Sequence, residues 1–303
     1  MIALVFPGQG SQAAGMAADV YQASALARDL FAQADEALAG CGLPAPLSQL
    51  CFEGPDDLLK QTEIAQPALL AASYVLYRVG QAKVGEPSFC AGHSLGEYTA
   101  LVAAGSLDFA VALRLVRRRG ELMRDAAAAN PGSMAAVLNL DDETVTSLCG
   151  QADGIVVPAN FNSPGQVVIS GEAAAVSAVS AAAKAAGGRG MPLRVSGAFH
   201  SPLMASAAEA MATELAAIDF APARVPVVQN VTAAPTTDPD QLRAGLAQQV
   251  TGSVRWTQSV QAMVAAGVTT LVECGPGAVL TGLLKRIDAS ITGINVNNLD
   301  SAV

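Results

Sequence analysis

The sequence predicts an α/β protein in two parts, a large domain built on a parallel sheet and a small βαββαβ subdomain inserted into it. Three observations predict this. Short, wholly apolar runs ending in Gly or Pro alternate with helical patterns through the first 130 residues. The pattern then changes to six closely spaced elements over residues 131–197, and afterwards the alternation resumes. Strands alternating with helices argue for a parallel sheet, and continuous apolar runs argue for strands buried on both faces. The expected boundaries are 1–130 and 198–303 for the large domain and 131–197 for the insertion.

The elements follow in order. Ile2–Phe6 is apolar throughout and breaks at Pro7-Gly8-Gln9-Gly10-Ser11, a buried strand leaving into a tight loop. Helical patterns continue to about Leu59. Gln66-Pro67-Ala68-Leu69-Leu70 opens another helix, with Pro67 suited to its first turn. Residues 88–91 are a second short strand. Residues 95–104 are helical and stop at Gly105, a good C-cap. Residues 108–128 form a further helix, ending before Asn130-Pro131-Gly132. In the insertion, strands are expected at 134–140, 155–159, 166–170 and 191–195. Helices are expected at 141–149 and 172–186, with a turn at Asn162-Ser163-Pro164-Gly165. This order is the ferredoxin-like one. The large part resumes with a helix from about Leu203 and strands at 225–229 and 270–273. The last strand runs into Gly275-Pro276-Gly277.

Composition excludes several classes. Of the 303 residues, 51% are hydrophobic and 14% charged, enough apolar material for a sizeable core. The net charge of -9 argues against nucleic acid, and 4% aromatics are too few for a base-stacking platform. Five scattered cysteines without a C-x-x-C pattern read as free thiols, which fits a reducing cytoplasm. With two histidines, His93 and His200, a His-rich metal site is excluded. The N-terminus has no signal-peptide pattern, and no apolar run is long enough to span a membrane. A cytoplasmic protein is the expectation.

Gly92-His93-Ser94-Leu95-Gly96 is G-x-S-x-G between an expected strand and an expected helix, the context of a nucleophile elbow. An elbow there makes the large domain α/β-hydrolase-like. The helix start behind Ser94 supplies backbone N–H groups and a positive dipole end, so the Leu95 N–H is a natural oxyanion donor. A serine nucleophile needs a base. His93 adjoins Ser94, and adjacent side chains on such a turn point apart, which leaves His200. No acid to orient His200 is evident, so a backbone or amide oxygen is the alternative.

Arg117-Arg118-Arg119 reads first as a solvated charge run. Helical spacing separates the three. Ala112, Leu115, Val116, Leu122, Met123 and Ala126 form the apolar stripe, and Arg119 falls inside it. Arg117 and Arg118 fall beside it. A buried guanidinium needs an anionic partner. Either a substrate carboxylate or a protein Asp or Glu would serve.

Four segments carry a family resemblance. They are Phe6-Pro7-Gly8-Gln9-Gly10-Ser11-Gln12, Gly92-His93-Ser94-Leu95-Gly96-Glu97-Tyr98, Arg119-Gly120-Glu121-Leu122-Met123 and Gly197-Ala198-Phe199-His200-Ser201-Pro202-Leu203-Met204. Asn160-Phe161-Asn162-Ser163-Pro164-Gly165-Gln166 and Glu273-Cys274-Gly275-Pro276-Gly277 extend them. The chain resembles the bacterial malonyl-CoA:acyl carrier protein transacylases over nearly its whole length.

The resemblance implies a malonylated Ser94 with His200 as base and then acid. It implies an oxyanion hole from the backbone N–H groups of Gln9 and Leu95, and a malonate clamp at Arg119. Gln249, in Gln248-Gln249-Val250-Thr251, would hold the imidazole through its backbone carbonyl, which would account for the missing acid. Met123 is placed in the substrate site. Leu95 and Phe199 look like the malonyl-selecting versions, since a bulky residue beside the histidine leaves little room for an α-methyl branch.

The implied reaction is ping-pong, with malonyl-CoA as substrate, CoA as product and acyl carrier protein as acceptor. It needs no metal or redox cofactor, and a monomer is expected. An acidic carrier on an acidic chain calls for a local basic patch; Arg117, Arg118, Lys184, Arg189, Lys285 and Arg286 are candidates, although solvated surface explains them equally well. Service to a polyketide pathway or to malonate decarboxylation is the alternative within the same chemistry, and a serine hydrolase is the rival outside it.

Overall fold

The computed structural model describes all 303 residues and contains two sheets. The strands are β1 (Ile2–Phe6), β2 (Phe89–Gly92), β3 (Ser133–Leu138), β4 (Val156–Ser163), β5 (Gln166–Gly171), β6 (Arg189–Pro192), β7 (Val227–Val228), β8 (Pro235–Thr236), β9 (Thr270–Cys274) and β10 (Thr292–Val296). The larger sheet has the order β10-β9-β1-β2-β7-β8. Its pairs are parallel except for the β7–β8 edge.

β1 explains why the sheet is buried on both faces. Its residues are all apolar, so alternation sends Leu4 and Phe6 to one side and Ala3 and Val5 to the other. The first side joins the main core with the Thr62–Val84 and Phe109–Ala129 helices. The second joins a smaller core around Trp256, Val260 and Leu280.

The smaller sheet is antiparallel, with the order β4-β5-β3-β6. The Asp142–Gln151 and Ala173–Ala185 helices cover it and close a separate core around Val137, Val145, Ile169 and Val179. β4 also docks this sheet onto the larger part. Phe161 N–H donates to the Val254 carbonyl at 2.9 Å, and Val254 N–H donates to the Ala159 carbonyl at 2.8 Å.

Several expected elements move. The helix expected to open at Gln66 begins at Thr62, so Pro67 lies inside it and not in its first turn. Proline has no N–H for the carbonyl four residues back. That carbonyl, on Glu63, instead accepts from Arg117 Nη1 at 2.8 Å. Arg117 is therefore buried and is no candidate for a surface patch. Its Nε also pairs with Glu121 at 3.0 Å. Periodicity alone placed Arg117 beside the apolar stripe; the gap in the neighbouring helix ladder draws it in.

The last strand of the small sheet is Arg189–Pro192, not 191–195. Gly190 weakens the strand signal, yet a Cβ there would lie 2.6 Å from the Ser180 Cβ of the covering helix. Close packing demands the glycine, and residues 193–195 leave as a loop. β4 runs through Asn162 to Ser163, so the turn tightens to Pro164-Gly165. The strand expected at 225–229 shortens to two residues, and β8 and β10 lacked a clear pattern.

The two long helices lie close together at Gly120, where an added Cβ would lie 2.4 Å from the Glu63 Cα. Backbone cannot yield to that contact without the helices separating. We expect Gly120→Ala to lower unfolding stability by about 1–3 kcal/mol. Urea titration checks this, and an unchanged midpoint would mean that the helix pair opens freely.

Candidate active site

The site gathers where the parallel strands end. β2 delivers Gly92 into a turn with Ser94 at φ 51°, and the Gly96–Ala103 helix starts immediately behind. Both flanking glycines are sterically required. A Cβ on Gly92 would fall 1.9 Å from the Gly96 carbonyl carbon, and one on Gly96 would fall 2.1 Å from the Phe6 carbonyl oxygen. Asn230, just beyond β7, ties the turn down. Its Oδ1 accepts from the Ser94 N–H at 2.7 Å, and its Nδ2 donates to the Gly92 carbonyl at 2.6 Å.

Ser94 Oγ lies 2.8 Å from His200 Nε2. The opposite ring nitrogen, Nδ1, faces the Gln249 carbonyl at 2.9 Å and the Gly252 carbonyl at 3.1 Å. Two carbonyl acceptors require the proton on Nδ1, which leaves the Nε2 lone pair toward the serine. Burial first, and then the Arg119 cation, push the imidazole down to about 3. His200 is therefore neutral at physiological pH, the state that can take a proton. His93 points elsewhere, to Asn162 Oδ1 at 2.8 Å.

Arg119 is 1% exposed. Its Nη1 donates to Gln66 Oε1 at 2.7 Å, and its Nη2 donates to Gln249 Oε1 at 3.0 Å and to Ser94 Oγ at 3.1 Å. The guanidinium carbon sits 5.4 Å from the Tyr98 ring centroid. Every acceptor is uncharged, and Nε has no partner. Of the two partners considered from sequence, a protein acid in direct contact is thus ruled out. The nearest acid in effect is Glu97, one layer back. Its Oε2 accepts from Gln249 Nε2 at 2.7 Å and from the Asn230 N–H at 3.0 Å. Burial raises Glu97 to about 7, against those donors and Arg119. A carboxyl raised toward neutrality compensates less of the Arg119 charge than a fully ionised one would.

A cavity of about 430 Å3 opens onto these groups, and Gln9, Leu95, Met123 and Phe199 also line it. Neither the Gln9 nor the Leu95 N–H donates to another protein group. The Gln9 side chain is held through Oε1, which accepts from Thr62 Oγ1 at 3.0 Å. All eight residues singled out in the sequence therefore meet in one place. Gln66, Glu97 and Asn230 complete the network without having been singled out for roles. Asn230 had a detectable signal, because ligands and catalytic groups collect at the carboxyl ends of parallel strands. No group of three or more His, Cys, Asp or Glu side chains is placed to hold a metal ion, and no helix is long and apolar enough to cross a membrane.

Residues 3–299 match the family model described as "Acyl transferase domain". The chain belongs to the acyl transferase family. It is 48% identical over 299 residues to the malonyl CoA-acyl carrier protein transacylase of Escherichia coli K12, covering 97% of this chain and 95% of that one. The Bacillus subtilis transacylase is 44% identical over 301 residues, covering 98% and 93%. Among solved structures, an acyl carrier protein S-malonyltransferase from Vibrio cholerae superposes with a TM-score of 0.94 at 45% identity, covering 99% and 98%. A malonyl-transacylase in complex with its type II polyketide-synthase acyl-carrier protein superposes with a TM-score of 0.94 at 44% identity, covering 99% and 97%.

The depressed His200 value links this acyltransferase site to folding. Its folded value lies below its unfolded one, so its contribution is fully present above pH 6.5 and is lost as pH falls toward about 3. Glu97 acts oppositely: its contribution is present below 4.5 and is lost as pH rises through about 7. We expect the urea midpoint to fall less on acidification below pH 6.5 in His200→Gln than in the parent chain. Parallel profiles would show that the imidazole is not held neutral.

Proposed function

We propose that this chain transfers the malonyl group of malonyl-CoA to the phosphopantetheine thiol of an acyl carrier protein, through malonyl-Ser94, and so supplies fatty-acid synthesis. The observation that carries this reading is Arg119, a buried cation with only neutral acceptors that reaches the nucleophile oxygen. A planar guanidinium fork matches a carboxylate, and an acyl group bearing a free carboxylate supplies the missing charge.

Malonyl-CoA enters with its carboxylate on Arg119. Ser94 Oγ attacks the thioester carbonyl while His200 Nε2 takes the proton, and the Gln249 and Gly252 carbonyls stabilise the resulting imidazolium. The Gln9 and Leu95 N–H groups receive the oxyanion, a role supported by their lack of protein acceptors. The C–S bond breaks, and CoA leaves with the proton from His200. The carrier thiol then gives its proton to His200 and attacks the malonyl-serine ester, restoring Ser94. Met123 and Phe199 wall the acyl pocket and leave little room for an α-methyl branch. Each step uses groups of this chain and its two substrates, with no metal or redox cofactor.

The same reading extends to architecture. The small sheet order and its βαββαβ connectivity support a ferredoxin-like subdomain over 131–197. The strand-elbow-helix at Ser94 on a largely parallel sheet supports an α/β-hydrolase-like assignment for 1–130 and 198–303. A monomer acting in the cytoplasm completes the proposal.

Incubation with malonyl-CoA, followed by intact-mass analysis, should place one malonyl group on the parent chain and none on Ser94→Ala. Added carrier should then remove it. Rapid release of free malonate without malonyl-carrier would overturn transfer in favour of hydrolysis. Arg119→Ala should lower malonyl transfer by about 100-fold or more and raise the acetyl-to-malonyl ratio, because acetyl does not use the clamp. An unchanged ratio, measured by acyl-CoA competition, would mean that the arginine does not read the carboxylate.

A further inference from the structure

We infer that Lys60 and Arg194 form a phosphate-binding pair at the mouth of the cavity, reading the phosphate end of the pantetheine arm. The inference rests on the proposed transferase reading and extends it.

Both side chains line the cavity that holds Ser94 and His200, and both are exposed, whereas Arg119, Met123, Phe199 and His200 within it are buried. They come from different parts of the fold. Lys60 follows the short Asp56–Leu59 helix of the large part, and Arg194 follows β6 of the small sheet. They are near enough that Arg194 opposes the larger effect of Asp57 on the Lys60 ammonium. Arg194 makes no hydrogen bond or ion pair with its side chain. Lys60 holds only Asp57, at 2.8 Å, and both partners are largely exposed. Such an exposed pair contributes little, so Lys60 is free to exchange Asp57 for a ligand. Two cations line this opening and no acid lines the cavity, so together they suit an anion that both can contact.

Substrate chemistry selects the anion. Donor and acceptor both carry the reacting sulfur on a pantetheine arm whose far end is a phosphate ester. With the sulfur at Ser94 and the inner wall closed, the arm leaves through the mouth. Leu193 and Val195, each more than a third exposed, flank Arg194 and suit the aliphatic part of the arm. The cavity of about 430 Å3 lies within the usual range for ligand sites, about 300–1,000 Å3. One phosphate subsite thus serves both half-reactions, receiving the diphosphate of CoA in the first and the phosphodiester of the carrier in the second.

The test compares substrates with and without phosphate. Loading of Ser94 is measured from malonyl-CoA and from malonyl-pantetheine, and unloading to phosphopantetheine and to pantetheine. In the Lys60→Ala/Arg194→Ala double variant, the ratio of kcat/KM with phosphate to kcat/KM without should fall by about 10- to 100-fold, chiefly through KM. The charge-keeping variant Lys60→Arg/Arg194→Lys should restore the ratio. The fall is expected in both the loading and the unloading arm, and a fall confined to one arm overturns the shared subsite. A ratio within about twofold of the parent in both arms, or equal losses with and without phosphate, overturns the inference. Failure of the parent chain to load Ser94 from either thioester sinks the transferase reading instead, and the phosphate subsite with it.

Discussion

The buried charge of Arg119 is the constraint around which the rest of the site is arranged. A guanidinium removed from water is unfavourable unless its donors are met; here Nη1 and Nη2 are met by amide and hydroxyl oxygens, an aromatic face lies alongside, and Nε is left without a partner. Those acceptors come from distant segments: Gln66 on one long helix, Gln249 at the end of the shorter Pro239–Gln249 helix, and Ser94 on the elbow. The close contact at Gly120 sets the distance between the two long helices, and the unladdered carbonyl of Glu63 engages Arg117 one turn away. Holding the cation in place thus draws on the packing of the main core.

Gln249 links this charge to the His200 imidazole. Its backbone carbonyl holds His200 Nδ1, its side-chain oxygen receives Arg119, and its amide nitrogen donates to Glu97. A fully ionised acid beside His200 would stabilise an imidazolium and also neutralise the arginine. Carbonyls orient the ring through their dipoles and add no net charge. Glu97, raised toward neutrality, follows the same logic. The positive charge is left without an ionised partner in contact, as the proposed carboxylate clamp requires.

The two sheets have separate cores, yet the cavity draws on both. The large part carries Ser94, Arg119 and Lys60; the small sheet and the loop after it contribute Met134, Asn160 and Arg194 to the lining. β4 fixes their relation through its backbone bonds to Val254, close to the His93–Asn162 contact. Ser94, His200 and Arg119 lie in the large part, and the small part supplies one side of the cavity lining.

Much was legible in the sequence because it is local. The apolar runs marked β1, β2 and β9, and the glycines at 92 and 96 marked a cramped strand-to-helix turn. Period-3.6 spacing placed Arg119 on an apolar face, and elimination reached His200 because no other histidine was eligible. The resemblance named Gln9, Leu95 and Gln249. Nonlocal terms decided the remainder. Arg117 was drawn inward by a carbonyl that Pro67 leaves unpaired on another helix, and β6 was displaced because a covering helix demands glycine at 190. The choice between a protein acid and a substrate carboxylate for Arg119 depends on what Gln66, Gln249 and Glu97 do in space, and spacing along the chain carries no record of that. By itself, the sequence singled out the residues that meet in the site and most of the elements that present them. Only the tertiary structure decided which charges are compensated, because compensation depends on distance and burial between segments far apart in the chain.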